Sequence, residues 1–461
     1  MRFRMLVWKD FQHLLRLRVL AWACGITWLL MLTAGWLSWY QYRQAVTVRK
    51  DANHIFRQQW EQQQRNPHAA AHFGTYVFKP VTPGSFFDQG LNDYSGTTFR
   101  IEAHLLHEVS FINADAQDAG GRIGKLSLAM ILQVIVPLLV IVMAAPTVTA
   151  ERQGGTFRLL LLQGIPPGTL LWAKTTAIYL AVTGMVLPCW LFLLAAGATL
   201  QLLPVVAVSI AVYQLYYLFI VLTGICISSY SNTTATAYGI MLAGWLIAVM
   251  LMPRMAATRI GDTVPVLRRG IFEDSVKQGY LKGLGNDGPY YVRAQKLTDK
   301  TLQQYGVSSV DKLPFNMEGL SFQEGEVYKQ RVYNYFYQPV KEAFSRQQYQ
   351  LDMVSGLNPY MIVRRISRML AGTSIEYHDA FRTQAMAYRT AFIRTLNMAL
   401  TQHPDIAGRR FFRDMPPFEM TPPDKQQLRS TLQNAMLALS LWTLLAALLL
   451  CFTASSKRLH L

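Results

Sequence analysis

Between Lys174 and Arg254 the chain runs for 79 residues without one Lys, Arg, Asp or Glu. A single soluble helix has no use for so long an uncharged apolar stretch. A membrane helix needs about 20 apolar residues to cross a hydrocarbon core of about 30 Å, so the block holds several spans. Polar breaks at Leu200-Gln201-Leu202-Leu203-Pro204 and Ser228-Ser229-Tyr230-Ser231-Asn232-Thr233 divide it into spans near residues 175–199, 205–227 and 234–252. Three further runs qualify, near 19–40, 126–148 and 435–453. The expected fold is an all-α polytopic membrane protein with six transmembrane helices. With 15% charged residues, against about 25% in soluble chains, the protein as a whole is not a disordered chain, a collagen or a cytosolic enzyme.

Short basic segments orient such a bundle, because they stay in the cytoplasm. The first 18 residues carry Arg2, Arg4, Lys9, Arg16 and Arg18 against Asp10, and the tail 455–461 carries Lys457 and Arg458. Both ends are therefore expected inside. The apolar run after Arg18 is too long for a cleaved signal peptide and reads as a signal anchor. The resulting division is an interfacial helix over 1–18, span one over 19–40, an extracytoplasmic segment over 41–125, spans two to five over 126–253 with a cytoplasmic loop at 149–174, an extracytoplasmic helical domain over 254–430, span six over 431–454 and the tail. The outer segment 254–430 holds 25 basic and 17 acidic side chains. Its excess of +8 faces away from the cytoplasm, so nucleic acid is not an expected partner and the lipid bilayer is.

Helical patterns dominate the outer segments. Residues 323–351, 360–370 and 375–402 read as helices, with Asn358-Pro359 opening the second and Gly372 ending it. Ala380, Phe381, Ala385, Tyr388, Phe392 and Leu396 form one apolar stripe, expected to pack the outer core. Residues 41–65 read as a helical continuation of span one, and 67–96 as irregular or short-strand structure.

Several chemical motifs fail. Gly120-Gly121-Arg122-Ile123-Gly124-Lys125-Leu126-Ser127 resembles a phosphate loop, but Ala119 and Leu126 stand where Gly and Ser/Thr are needed. Gly283-Leu284-Gly285-Asn286-Asp287-Gly288 lacks the preceding strand of a dinucleotide site and reads as a turn. Cys24, Cys189, Cys226 and Cys451 all lie in apolar runs and read as small hydrophobes. His104 and His107 read as a chance pair, since two ligands need partners not visible in the sequence. No catalytic, cofactor-binding or metal-binding residues are therefore expected. Gln133 and Gln214, inside spans, are expected to hydrogen-bond between helices.

One loop stands apart. Residues 150–174 combine Glu151, Gly154-Gly155, an apolar Leu159-Leu160-Leu161-Leu162 run and Pro166-Pro167-Gly168 before Lys174. They describe a short helix along the inner surface that turns back into span three, with an apolar face ready to dock on lipid or a protein.

These positions resemble the coupling segment of type-2 ABC exporter permease subunits: a Glu, then Gly-Thr, a Leu pair, a Pro and a Lys entering the next span. Here they are Glu151, Gly155-Thr156 preceded by Gly154, Leu160-Leu161, Pro166 and Lys174. The amphipathic start, with Trp8, Phe11, Leu14, Leu15 and Leu17, is similar to that family's interfacial helix. Arg158 stands where many members have an acidic residue. The outer mass exceeds that of simple exporters, and the pattern from Asn358-Pro359 to Tyr388-Arg389 is similar to a subfamily with a large external insert. The resemblance implies a multi-pass protein of the bacterial inner membrane, two permeases (a second copy or a paralogue) and a cytoplasmic ABC ATPase that carries the ATP. It leaves two functions open: movement of cargo, or a mechanotransducer whose outer domains act on an external partner.

Overall fold

The computed structural model describes residues 2–92, 94–104, 126–196, 203–402 and 408–456. His107, the phosphate-loop look-alike up to Lys125, His403-Pro404 and the basic tail from Lys457 lie outside the described residues.

The expected six spans are present: Arg18–Gln62, Leu128–Gln153, Pro167–Ala196, Leu203–Tyr230, Thr234–Thr263 and Leu428–Ser455. An interfacial helix, Arg2–Arg16, precedes span one and breaks from it at Leu17. Span one is a 45-residue helix, about 68 Å long at 1.5 Å per residue, so its last turns stand well clear of a bilayer. Span three begins at Pro167, eight residues before the uncharged block, so Lys174 lies inside the helix rather than ahead of it. Small residues bring the spans close. A Cβ on Gly224 would lie 2.6 Å from Met241 Cε and 2.8 Å from Ala144 Cβ, which locks span four against spans two and five.

Prolines interrupt these spans, and a membrane offers no water to satisfy the carbonyls they leave without a donor. Neighbouring side chains take that role. Ahead of Pro137 the helix widens into a π-turn over Ile131–Ile135, and Tyr217 Oη donates to Leu132 O at 3.0 Å. Pro146 frees Val142 O, which accepts from Tyr238 Oη at 3.1 Å. Ahead of Pro253 a second π-turn, Ile247–Leu251, occurs, and Asn358 Nδ2 donates to Ala248 O at 2.7 Å. Gln133 and Gln214 act as expected: Gln133 Nε2 donates to Tyr213 Oη at 2.7 Å, and Gln214 Oε1 accepts from Thr183 Oγ1 at 3.0 Å.

One end of the bundle gathers the interfacial helix, the loop between spans two and three, the turn between spans four and five, and the end of span six. The other end carries the two large segments, which share one core. The end of span one contributes Trp60, the hairpin of Thr75–Phe78 and Thr98–Ile101 contributes Val77 and Phe99, and helix Ile375–Gln402 contributes Phe381, Ala385, Phe392 and Leu396. Four members of the expected stripe are thus buried; Ala380 and Tyr388 are half-buried. Helix Pro359–Ala371 matches the sequence reading within one residue at each end, and Met317–Gly356 starts six residues before and ends five after the 323–351 reading. The Gly283–Gly288 string is a turn between two helices, with left-handed φ at Gly283, Gly285 and Gly288. Cys189 and Cys226 are buried, Cys24 is half-buried, and Cys451 is exposed.

Helix Pro359–Ala371 rests on the spans. Its Tyr360, Ile362, Val363 and Ile366 belong to the bundle core, as do Phe86 and Phe87 from the first outer segment. A buried polar chain crosses this junction. Gln133 bonds Tyr213, Tyr213 Oη donates to Ser367 Oγ at 3.2 Å, and Ser367 Oγ donates to Asp88 Oδ2 at 2.5 Å.

Near the same junction, burial holds the His378 imidazole down at about 4, assisted by the nearby charges of Lys79 and Arg382. Between pH 6.5 and 4 the unfolded chain takes a proton on this ring that the folded chain refuses. Stability should therefore fall as pH falls through that window, by up to about 1.4 kcal/mol per pH unit. Thermal unfolding of the purified protein from pH 7 to pH 4, beside His378→Gln, measures the effect. An equally steep loss in the variant removes His378 as its cause.

Candidate functional site

The loop between spans two and three is built by two left-handed glycines. Span two closes when Gly154 N–H donates to Ala150 O at 2.9 Å. Gly155, at φ 73°, then reverses the chain. A Cβ there would meet nothing within 4 Å, so the requirement for Gly is its backbone angle and not a close approach. Thr156 Oγ1 donates to Glu151 O at 3.2 Å and ties the turn back to span two. Helix Thr156–Leu162 follows, and Gly164, at φ 77°, turns the chain again. Pro166 is exposed and Pro167 begins span three, a position that needs no N–H donor.

The loop helix has two faces. Phe157, Leu160 and Leu161 follow i, i+3, i+4 spacing; Phe157 is buried, and the Leu pair packs half-buried on the bundle core. Leu159 and Leu162 are 58% and 76% exposed, beside exposed Arg158. The Leu pair picked out by family resemblance thus anchors the helix, while the neighbouring leucines form its outward surface. The period of three and four from Phe157 was the available signal for that division.

Lys174 lies two turns into span three and is 3% exposed. Its Nζ sits 2.8 Å from Glu151 Oε1 and 3.4 Å from Asp10 Oδ2. Lys9 Nζ lies 3.6 Å from Glu151 Oε1 and 3.6 Å from Asp10 Oδ1. Two ammonium groups and two carboxylates balance. Glu151 therefore turns inward to an ion pair within the chain, and its Oε2 is buried without a hydrogen-bond partner. Next to it, Arg152 caps the end of span four, donating to Ser229 O at 2.8 Å and Ser231 O at 3.2 Å. Gln153 Oε1 accepts from Thr234 Oγ1 at 3.1 Å at the start of span five. The structure thus joins Glu151, Thr156 and Lys174 and adds Lys9 and Asp10. The only sequence signal for that pair was an acid in an otherwise basic helix.

Removing one partner of a buried ion pair leaves an uncompensated charge and costs about 3–5 kcal/mol. Lys174→Met should destabilise the protein by ~3 kcal/mol, and adding Glu151→Gln should restore part of the loss. Thermal unfolding in detergent tests both. Unchanged stability in Lys174→Met would show that the cluster does not hold the bundle.

The comparisons with known proteins agree with this architecture. No curated protein matches the chain. Residues 274–421 match a domain of unknown function, DUF3526. Residues 4–269, more than half of the chain, match the ABC-2 family transporter proteins. This match takes in the interfacial helix, five of the six spans and the ion cluster, and the chain accordingly belongs to the ABC-2 transporter family as a membrane permease of an ABC transporter.

Proposed function

We propose that the chain is the permease subunit of an exporter in the bacterial inner membrane, working with a second permease copy or paralogue. A separate cytoplasmic ATPase grips the loop helix Thr156–Leu162. The observation that carries this reading is the helix's division into an anchored face and a free one: Phe157 is buried, while Leu159 and Leu162 project outward beside Arg158. A partner that grips Leu159 and Leu162 pulls on spans two and three together, because Glu151 and Lys174 join them 2.8 Å apart. Glu151 and Lys174 then act as positioning residues, and ATP is bound and hydrolysed on the partner. Gly154, Gly155, Thr156 and Pro166 set the shape of the loop that presents the helix.

Leu159→Asp with Leu162→Asp replaces apolar docking surface by charge without touching the bundle. Co-purification with the ATPase should drop at least roughly tenfold, the factor for 1.4 kcal/mol, at normal membrane expression. Undiminished recovery of the ATPase would overturn the assignment of this face.

The basic residues at the loop end, Arg4, Lys9, Arg16 and Arg18 with Arg158, favour a cytoplasmic position for it. Export reporters fused after Gly96 and after Gly306 should then both be active. A cytoplasmic signal from either would reverse or break the six-span topology.

A second reading has the outer domains transmitting force to an external partner without passage of cargo. The buried chain Gln133–Tyr213–Ser367–Asp88 favours it, because it fastens the outer segments to two spans. An ATP-dependent change in protease sensitivity of the outer segments without any cargo would separate it from simple export.

A further inference from the structure

Three imidazoles of the first outer segment gather where it meets the second. His68 and His72 stand one turn apart in helix Pro67–Phe73, with their Nε2 atoms 3.2 Å apart. His104 arrives just after strand Thr98–Ile101. One ligand atom from each of the three rings lies within 4.8 Å of the other two. Nitrogens around a tetrahedral zinc ion at 2.0–2.1 Å stand about 3.3 Å apart, so the pair on the helix already has the spacing of two ligands, and the third needs a small rotation.

The backbone at His104 is a second, independent observation. Among the described residues it is the one non-glycine with positive φ, at 63°, a conformation that costs free energy and is kept where surrounding contacts impose it. Those contacts come from helix Met317–Gly356. Glu326 Oε1 accepts from His104 N–H at 2.6 Å, and the Lys329 ammonium donates to His104 O. Glu326 is itself fixed by buried Arg389, at 2.8 Å. Glu326 Oε1 also lies 3.4 Å from His104 Nδ1, which leaves Nε2 of that ring for a ligand. A carboxylate behind a ligating imidazole is the usual outer-shell arrangement at metal sites. His68 is held flat against Phe322, with centroids 4.2 Å apart and planes at 12°. His72 is exposed and leaves a path for entry.

We propose that His68, His72 and His104 form a binding site for a divalent transition metal of zinc's class, with water in the fourth position. An all-imidazole set favours zinc, nickel or copper over magnesium or calcium. The bound ion ties helix Pro67–Phe73 and the hairpin to helix Met317–Gly356 through Glu326, and so joins the first outer segment to the second. The sequence alone reads His104 and His107 as a chance pair and predicts no metal ligands; His104 instead meets two histidines more than 30 positions earlier, and His107 lies outside the described residues. The proposal is independent of the ATPase-coupling reading.

The test uses full-length protein in detergent, without a polyhistidine tag, stripped by a chelator and titrated with Zn2+ alone and with Co2+ alone. The parent should bind one equivalent of Zn2+ per chain and give the visible absorption of tetrahedral Co2+. Binding should weaken by roughly tenfold or more in His68→Gln and in His72→Gln, the latter on an exposed ring whose replacement leaves the fold intact. Zn2+ should raise the unfolding temperature of the parent more than that of either variant. Failure of the stripped parent to bind a stoichiometric ion, or equal affinity in His72→Gln with a normal elution profile, overturns the site.

Discussion

The ammonium of Lys174 decides how the loop end of the bundle is assembled. A lysine at 3% exposure inside a membrane helix is tolerable only if opposite charge comes to it. Glu151 comes from the end of span two and Asp10 from the interfacial helix. One buried charge thereby fixes the approach of two other elements, and Lys9 completes neutrality at the water side. With the cluster neutral, a carboxylate that turned outward would leave two ammonium groups facing one acid. The loop helix is left with Leu159, Leu162 and Arg158 as its outward surface.

At the opposite end the constraint is hydrogen bonding rather than charge. Pro137 in span two and Pro253 in span five free carbonyl groups where there is no water, and Tyr217 and Asn358 supply the missing donors. Asn358 does so from the edge of an outer helix, so the repair of a membrane span and the seating of the outer domain are the same contact. Its Oδ1 also accepts from Tyr360 N at 3.0 Å and caps helix Pro359–Ala371. One side chain thus opens an outer helix and satisfies span five, which joins the two.

Elements whose cause is local were legible in the sequence. Apolar length gave the six spans, Asn358 and Gly372 bounded an outer helix, and periodicity identified Phe381, Ala385, Phe392 and Leu396 as core. The sequence picked out Glu151, Thr156 and Lys174, which the structure brings together, but not their orientation. Glu151 looked available to a partner because its neutralising lysine lies 23 positions away in sequence, and the distance between them depends on how the loop folds back. Span three was placed to begin after Lys174 because charge was treated as a boundary, whereas a paired lysine can sit inside a helix. The histidine cluster escaped notice for a related reason. His68 and His72 show helical spacing, but their convergence on His104 requires a hairpin register and a left-handed residue, neither of which is written in local periodicity.

Span two connects the two ends. Glu151 at one end belongs to the ion cluster, and Gln133, 18 residues earlier, belongs to the polar chain that reaches Asp88. Helical rise over that interval is about 27 Å, with a break at Ala145 between helices Val136–Ala144 and Pro146–Gln153. The π-turn at Ile131–Ile135 contains Gln133 and stands just before Pro137. A π-turn is an irregularity of the kind often found at functional sites, and here it carries the residue that links the span to the outer junction. Span two is thus fixed by charge to the interfacial helix and span three at one end and by hydrogen bonds to the outer junction at the other.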